Sequence, residues 1–217
     1  MPDGLSLRQA PALPVADGDV PEVLASIVAR GTDLAIWQRS PADPIAKLAP
    51  WLDALAPEHL PDGRFIAPIG DVARRLAILC DLVELRDGPE RTALIDDITC
   101  LAGRFAAVAR IERVDVKLEA IDHDSCWRFH RDHVGFRLNA TYRGPGTEWV
   151  SAADALRALR SQHRYRGPVS ALPRFAAGLF KGVKLAGKRA VVHRSPPIAG
   201  RGLTRLFLCL NEPMAED

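Results

Sequence analysis

The chain has 217 residues, 47% hydrophobic and 26% charged, with a formal net charge of +2, which suits one compact domain or a helical segment packed on a larger core. No run approaches the roughly 18 apolar residues of a membrane span, and the start lacks a basic-then-apolar leader, so the expectation is a cytoplasmic protein with no membrane partner. Cys80, Cys100, Cys126 and Cys209 lie far apart with no Cys-x-x-Cys pair, which argues against a disulfide framework and for reduced thiols.

Residues 1–18 hold three prolines and no periodicity and read as a loose arm. From Asp19 to Arg30 the apolar residues Val20, Val23, Leu24, Ile27 and Val28 mark one face of a helix, stopped by Arg30 and Gly31. Asp33 to Gln38 reads as a short strand, and Pro44 to Leu55 as a helix with Pro in its first turn. Asp71 to Leu85 and Pro89 to Ala109 are the longest helical patterns. Residues 19–109 are therefore expected to be mainly helical.

The character changes at Arg110. Val114, Val116, Leu118 and Ala120 alternate with Asp115, Lys117 and Glu119, the period-two mark of a half-buried strand. Val134 to Tyr142 alternates similarly, Gly144-Pro145-Gly146 makes a turn, and Glu148-Trp149-Val150 starts another strand. Ser151 to Gln162 reads as a helix capped by Ser151, followed by strands at Ala177 to Phe180, Ala190 to His193 and Leu206 to Leu210. The fold expected is α+β, a helical N-terminal half packed on a double-stranded β-helix (jelly-roll) core spanning 110–217.

Charge is unevenly spread. Five of the 29 basic residues are Lys, leaving 24 Arg, a balance that a GC-rich genome gives and that does not by itself argue for nucleic-acid binding. From Ala155 to Asn211 there is no Asp or Glu, whereas Arg and Lys recur throughout. A cationic half attracts anions, whether a dicarboxylate, a phosphate or a nucleic-acid backbone; it also serves as a solvated face balanced by the acidic first half. A metal site using His193 is expected to take its carboxylate from earlier in the chain, which makes Asp132 well placed.

Such a carboxylate stands in Phe129-His130-Arg131-Asp132. In an extended segment alternate side chains share a face, so His130 and Asp132 can turn to one metal. His193 ends the β-branched run Ala190-Val191-Val192, and Arg205 opens Leu206-Phe207-Leu208-Cys209-Leu210. Two imidazoles and one carboxylate form the facial triad that holds non-haem Fe(II) with coordination positions open, and zinc accepts the same set. A downstream guanidinium is what such a site needs for a carboxylate-bearing co-substrate. Arg205 is the expected clamp, with Tyr142 and Arg137 as assistants; Arg201 is a rival but sits between two glycines, in a loop.

Competing motifs are weaker. Asp122-His123-Asp124 reads as a solvated turn, and a single Cys126 near His123, His130 or His133 does not make a structural zinc site. Gly144-Pro145-Gly146 lacks a phosphate-loop Lys. Ser195 follows His193 too closely for a hydrolase triad, whose members converge from separate elements.

The pieces Cys126-Trp127-Arg128-Phe129-His130-Arg131-Asp132, Arg137 to Tyr142, Gly144 to Trp149 and His193-Arg194-Ser195-Pro196-Pro197 resemble the bacterial domain of unknown function 1826 family, over about residues 100–211. That resemblance implies a link to zinc homeostasis. The motif order is also similar to that of the Fe(II)/2-oxoglutarate oxygenases, where the first His and Asp, the distal His and the Arg of the following strand match His130, Asp132, His193 and Arg205. It implies Fe(II) as metal, 2-oxoglutarate as co-substrate and a small or anionic substrate. The alternative is a non-catalytic zinc-binding protein using the same pocket.

Overall fold

Strict alternation along three strands gives the molecule a greasy face and a polar face, and everything else is arranged around that division. In the computed structural model, which describes residues 15–40 and 43–213, the strands in chain order are β1 (Val15–Gly18), β2 (Leu34–Trp37), β3 (Gly63–Pro68), β4 (Arg113–Ile121), β5 (Phe136–Arg143), β6 (Glu148–Trp149), β7 (Ser170–Ala171), β8 (Ala177–Lys181), β9 (His193–Arg194) and β10 (Arg205–Asn211). Seven of them form one large sheet in the order β1-β2-β8-β5-β10-β4-β3, antiparallel except for β1 with β2. A second sheet has the order β7-β6-β9. The fold is mixed α+β.

On the large sheet Val114, Val116, Leu118, Leu138, Ala140, Tyr142, Leu206, Leu208 and Leu210 point to one side, into the main core. Helices cover that side: α1 (Ala49–Ala54), α2 (Val72–Leu82) and α3 (Pro89–Ala109) contribute Leu52, Leu76, Leu94, Ile98, Leu101 and Phe105. Each such side chain contributes about 1.5–3 kcal/mol when fully buried. The opposite side carries Lys117, Glu119, Arg137, Asn139, Phe207, Cys209 and Asn211, held level by the pairings Cys209↔Lys117, Cys209↔Asn139 and Asn211↔Arg137. Further along the sheet, Leu34, Ile36 and Phe180 pack with Leu172, Val191 and Trp149 and join the large sheet to the small one.

α3 has the bounds expected from sequence. Proline opens it, where a missing N–H costs nothing, and Arg110 closes it in the left-handed conformation at φ 56°. Several expectations need correction. The first half gives the large sheet β2, within the strand expected from Asp33 to Gln38, and also β1 and β3, which lie outside that expectation. Of the expected arm, residues 1–14 lie outside the described residues, while Val15–Gly18 is a strand. β3 is an edge strand ending in Pro68, and proline is tolerated there because the edge needs no outward donor. The Asp19–Arg30 helix is a 3-10 helix over Pro21–Val28, which suits its two buried side chains, Leu24 and Ile27, three positions apart. The helix expected from Ser151 begins later, as α4 (Ala155–Ser161), with Ser151 Oγ accepting the Asp154 N–H at 3.2 Å in the turn before it.

Candidate metal centre

Two backbone hydrogen bonds bring the site together. His130 N donates to His193 O at 3.0 Å and His193 N to His130 O at 3.1 Å, so the two residues sit opposite one another as an antiparallel bridge. Residues paired in this way project side chains to the same face, and the two imidazole centroids are 4.6 Å apart. His193 opens β9, which is itself registered on Trp149 of β6. Asp132, two residues beyond His130, is fixed by Val183 N donating to its carbonyl at 2.8 Å. The chain passes so close here that a Cβ on Gly182 would lie 2.2 Å from Val134 O, so only glycine allows the approach.

The three functional groups converge. His193 Nε2 lies 3.1 Å from Asp132 Oδ2, and His130 Nε2 lies 3.5 Å from Asp132 Oδ1. The donor atoms of His130, Asp132 and His193 all lie within 4.8 Å of one another. His193 and Asp132 are buried, while the His130 side chain keeps 34% of its exposure and forms the open edge. The outer ring nitrogens fix the tautomers: His130 Nδ1 meets Arg128 O at 2.8 Å and His193 Nδ1 meets Val191 O at 3.1 Å. A carbonyl only accepts, so both Nδ1 atoms carry hydrogen and both Nε2 atoms turn inward to Asp132, free to bind a metal once deprotonated.

Asp132 supplies the test of fit. Its Oδ1 accepts from Arg137 Nη1, whereas its buried Oδ2 has only His193 Nε2 beside it, at 3.1 Å. A buried carboxylate with an imidazole nitrogen beside each oxygen needs positive charge next to it, from protons on the rings or from a metal ion. A divalent ion meets that demand, because donors bonded at ~2 Å to one ion stand about 3 Å apart. Burial pushes the Asp132 carboxyl up, but the two imidazoles and Arg137 together hold it well below the usual carboxylate range. For His130 burial opposes the charge, yet the Asp132 carboxylate and the Arg128 carbonyl raise its value overall.

A cavity of about 240 Å3 between the sheets opens from His130 and His193, with Asn139, Thr147, Ser195, Phe207 and Cys209 in its wall. Its charged rim is self-paired: Arg64 with Asp115, Lys117 with Glu119 and Arg194 with Glu148. Arg205 differs. It is fully buried, and among the described residues no carboxylate pairs with it. Its Nε donates to Pro145 O at 2.8 Å, Nη1 to Ser195 Oγ at 3.1 Å and Nη2 to Thr141 Oγ1 at 3.5 Å. Burial pulls the guanidinium down to about 10. Gly144, at φ +77°, makes room for it: a Cβ there would stand 2.9 Å from Arg205 Cγ.

The remaining candidates sort as follows. Arg137 lines the cavity but spends its hydrogen bonds on Asp132 and on Asn211 Oδ1, at 2.7 Å for the latter. Tyr142, expected beside the clamp, faces the helical side, where its hydroxyl donates to Asp97 Oδ2 at 2.6 Å. Alternation within β5 explains this, since Arg137, Asn139 and Thr141 share the cavity face and Tyr142 cannot. Arg201 is an exposed loop residue, its Nη1 3.4 Å from Pro197 O. Asp124 is occupied by the amides of Ile198 and Ala199, and His123 contacts only its neighbour Asp122. Sequence reasoning missed Asn139, Thr141 and Ser195; the first two follow from Arg137 at two-residue steps.

Fold and site together define a mixed α+β protein with a two-histidine, one-aspartate centre suited to a divalent metal. The chain belongs to the family described as protein of unknown function DUF1826, which matches residues 18–211. No curated protein shows significant sequence similarity to it. Solved structures with a related outline include the dioxygenase for auxin oxidation 1 from Arabidopsis thaliana in a 2-oxoglutarate complex, at 10% identity and TM-score 0.48 over 94% of each chain. A prolyl-4-hydroxylase from Pseudomonas putida aligns at 12% identity and TM-score 0.35, over 82% of this chain and 98% of that one. AviO1 from Streptomyces viridochromogenes aligns at 17% identity and TM-score 0.35, over 75% of this chain and 96% of that one. Superpositions this loose carry no argument about activity.

Proposed function

We propose that this protein is an Fe(II)- and 2-oxoglutarate-dependent oxygenase on a double-stranded β-helix core. The observation that carries the reading is Arg205, a buried guanidinium with only neutral partners, joined through Ser195 to the cavity that begins at His130 and His193. A metal-storage site has no use for such a group. In this reading His130, Asp132 and His193 hold the iron on one face, and Arg137 fixes Asp132 so that Oδ2 is the donating oxygen.

Arg205 binds the far carboxylate of 2-oxoglutarate. Its guanidinium has five N–H donors, of which Nε, Nη1 and Nη2 each commit one to protein oxygens. One hydrogen remains on each terminal nitrogen, the pair that forms a bidentate fork with a carboxylate. When bound, Fe(II) with 2-oxoglutarate and dioxygen supplies the oxidising power for attack on a C–H bond, and the protein supplies position and a dry pocket. The four cysteines are free thiols, in keeping with a reducing cytoplasm.

The test is uncoupled turnover. Fe(II)-loaded protein in air should convert 2-oxoglutarate slowly to succinate, detected by proton NMR, and His193→Ala should abolish the conversion. Protein that binds zinc tightly, neither binds 2-oxoglutarate nor forms succinate, would instead be a non-catalytic zinc protein.

A further inference from the structure

The acid-free stretch from Ala155 to Asn211 resolves into charges that are matched and charges that are not. Arg157 pairs with Asp154, Arg174 with Asp53, Arg189 with Asp33 and Arg194 with Glu148, so carboxylates from earlier in the chain neutralise part of it. Arg160 and Arg164 are exposed, and among the described residues neither has a carboxylate partner. Arg128, from the segment leading to His130, is exposed and equally unmatched. These three residues line one depression of about 470 Å3, together with Trp127, Gln162 and His163.

That depression is linked to the metal centre by shared lining residues. Trp127 and Arg128 also line a second hollow with Asp124, Cys126 and His130, and Cys126 and His130 in turn belong to the wall of the metal cavity. Trp127 is half-buried, with the Arg128 guanidinium 5.3 Å from its ring centroid. The surface is therefore a track. Unpaired guanidiniums lie at its outer end, an indole in the middle, and a metal ligand at the inner end. The carboxylate beside it is Asp124, whose Oδ1 is already bound by two backbone amides.

We propose that this track binds single-stranded nucleic acid, with phosphates on Arg128, Arg160 and Arg164, a base stacked at Trp127 and the next nucleotide pointing towards His130. Guanidiniums match phosphate oxygens in bidentate geometry, and an aromatic face beside a cationic groove is the combination that holds single strands without reading their sequence. An acidic peptide would use the guanidiniums but not the indole. A duplex would keep its bases stacked and out of reach of a recessed cavity of about 240 Å3. The proposal rests on the oxygenase reading only for the reason a base would be brought to the metal; binding itself requires no turnover.

The experiment is fluorescence anisotropy of the full chain with a labelled oligothymidylate of about twelve nucleotides, within the range that such surfaces cover, across a salt series. Three phosphate contacts predict a log–log salt slope of about −2, since each contributes about −0.7 on a single strand. Arg160→Ala and Arg164→Ala should each flatten the slope by about 0.7, and Trp127→Ala should weaken binding roughly tenfold. Lys184→Ala, an exposed charge outside the track, should change nothing. Circular dichroism confirms that each variant folds. Equal or tighter binding to a duplex, to poly-glutamate-competed sites or to anionic phospholipid vesicles overturns the proposal, as does a Trp127→Ala variant with unchanged affinity. If the oligonucleotide fails while Fe(II) and 2-oxoglutarate still bind, the track alone is refuted; if the oligonucleotide binds and 2-oxoglutarate does not, the oxygenase reading alone falls.

Discussion

Replacing Arg205 by methionine separates a structural arginine from a ligand-binding one. The guanidinium donates to Pro145 O, Ser195 Oγ and Thr141 Oγ1. The two hydroxyls can rotate to other partners, so the variant orphans mainly the Pro145 carbonyl, at about 1–3 kcal/mol. Removing a buried charge that lacks a carboxylate offsets much of this, because such a charge is costly to desolvate. The ligand-free variant should therefore unfold within a few degrees of the wild type. Ligand binding should differ sharply: losing one partner of a buried bidentate charge pair costs about 2–5 kcal/mol, roughly 30- to several-thousand-fold in affinity for 2-oxoglutarate. In a thermal-shift assay on metal-loaded protein, 2-oxoglutarate at about 100 times its dissociation constant adds about 2.7 kcal/mol to the wild type, a rise of roughly 5–10 °C for a domain of this size. Arg205→Met should show no rise at that concentration, and Arg205→Lys little, since an ammonium cannot form the fork. Equal stabilisation of wild type and Arg205→Met would refute the reasoning. Collapse of the ligand-free variant would make Arg205 a structural residue.

Arg137→Ala should weaken metal binding about 10- to 100-fold by releasing Asp132 Oδ1, and Arg137→Lys should recover part of it, as read by competition with a chelating dye. Asp97→Ala leaves buried Arg39 without its carboxylate and should cost about 3–5 kcal/mol in a urea titration. Tyr142→Phe should cost about 1–2 kcal/mol and leave 2-oxoglutarate affinity unchanged, because Tyr142 faces away from the cavity. Burial pushes the Cys209 thiol up to about 11. A raised thiol value means that the reactive thiolate is absent at neutral pH and forms only as pH approaches that value, so iodoacetamide at pH 8 should label exposed Cys100 and Cys126 and spare Cys80 and Cys209.

The second half was legible because its strands alternate cleanly. Val114 to Glu119 and Leu206 to Leu210 announce both their strands and their faces, and the order His130, Asp132, His193 led to residues that the fold brings within contact. What local pattern does not carry is partner choice. β3 carries no element signal of its own and forms on the edge of β4, and β1 is a four-residue strand placed by its pairing with β2 and by packing of Val15 and Ala16 on the cores. The error over Tyr142 was one of register: it is adjacent to Thr141 in sequence and on the opposite face of the sheet. Ser195 was missed because its importance lies in a contact with Arg205, ten positions away, through a loop that no periodicity describes.

Anaerobic calorimetric titration of Fe(II) into the metal-free chain, with and without 2-oxoglutarate, tests the central claim most directly. The account predicts one Fe(II) per chain, loss of binding in His193→Ala, and a second, iron-dependent heat for 2-oxoglutarate that is absent from Arg205→Met. Iron binding that survives His193→Ala, or 2-oxoglutarate heat indifferent to both iron and Arg205, would contradict it.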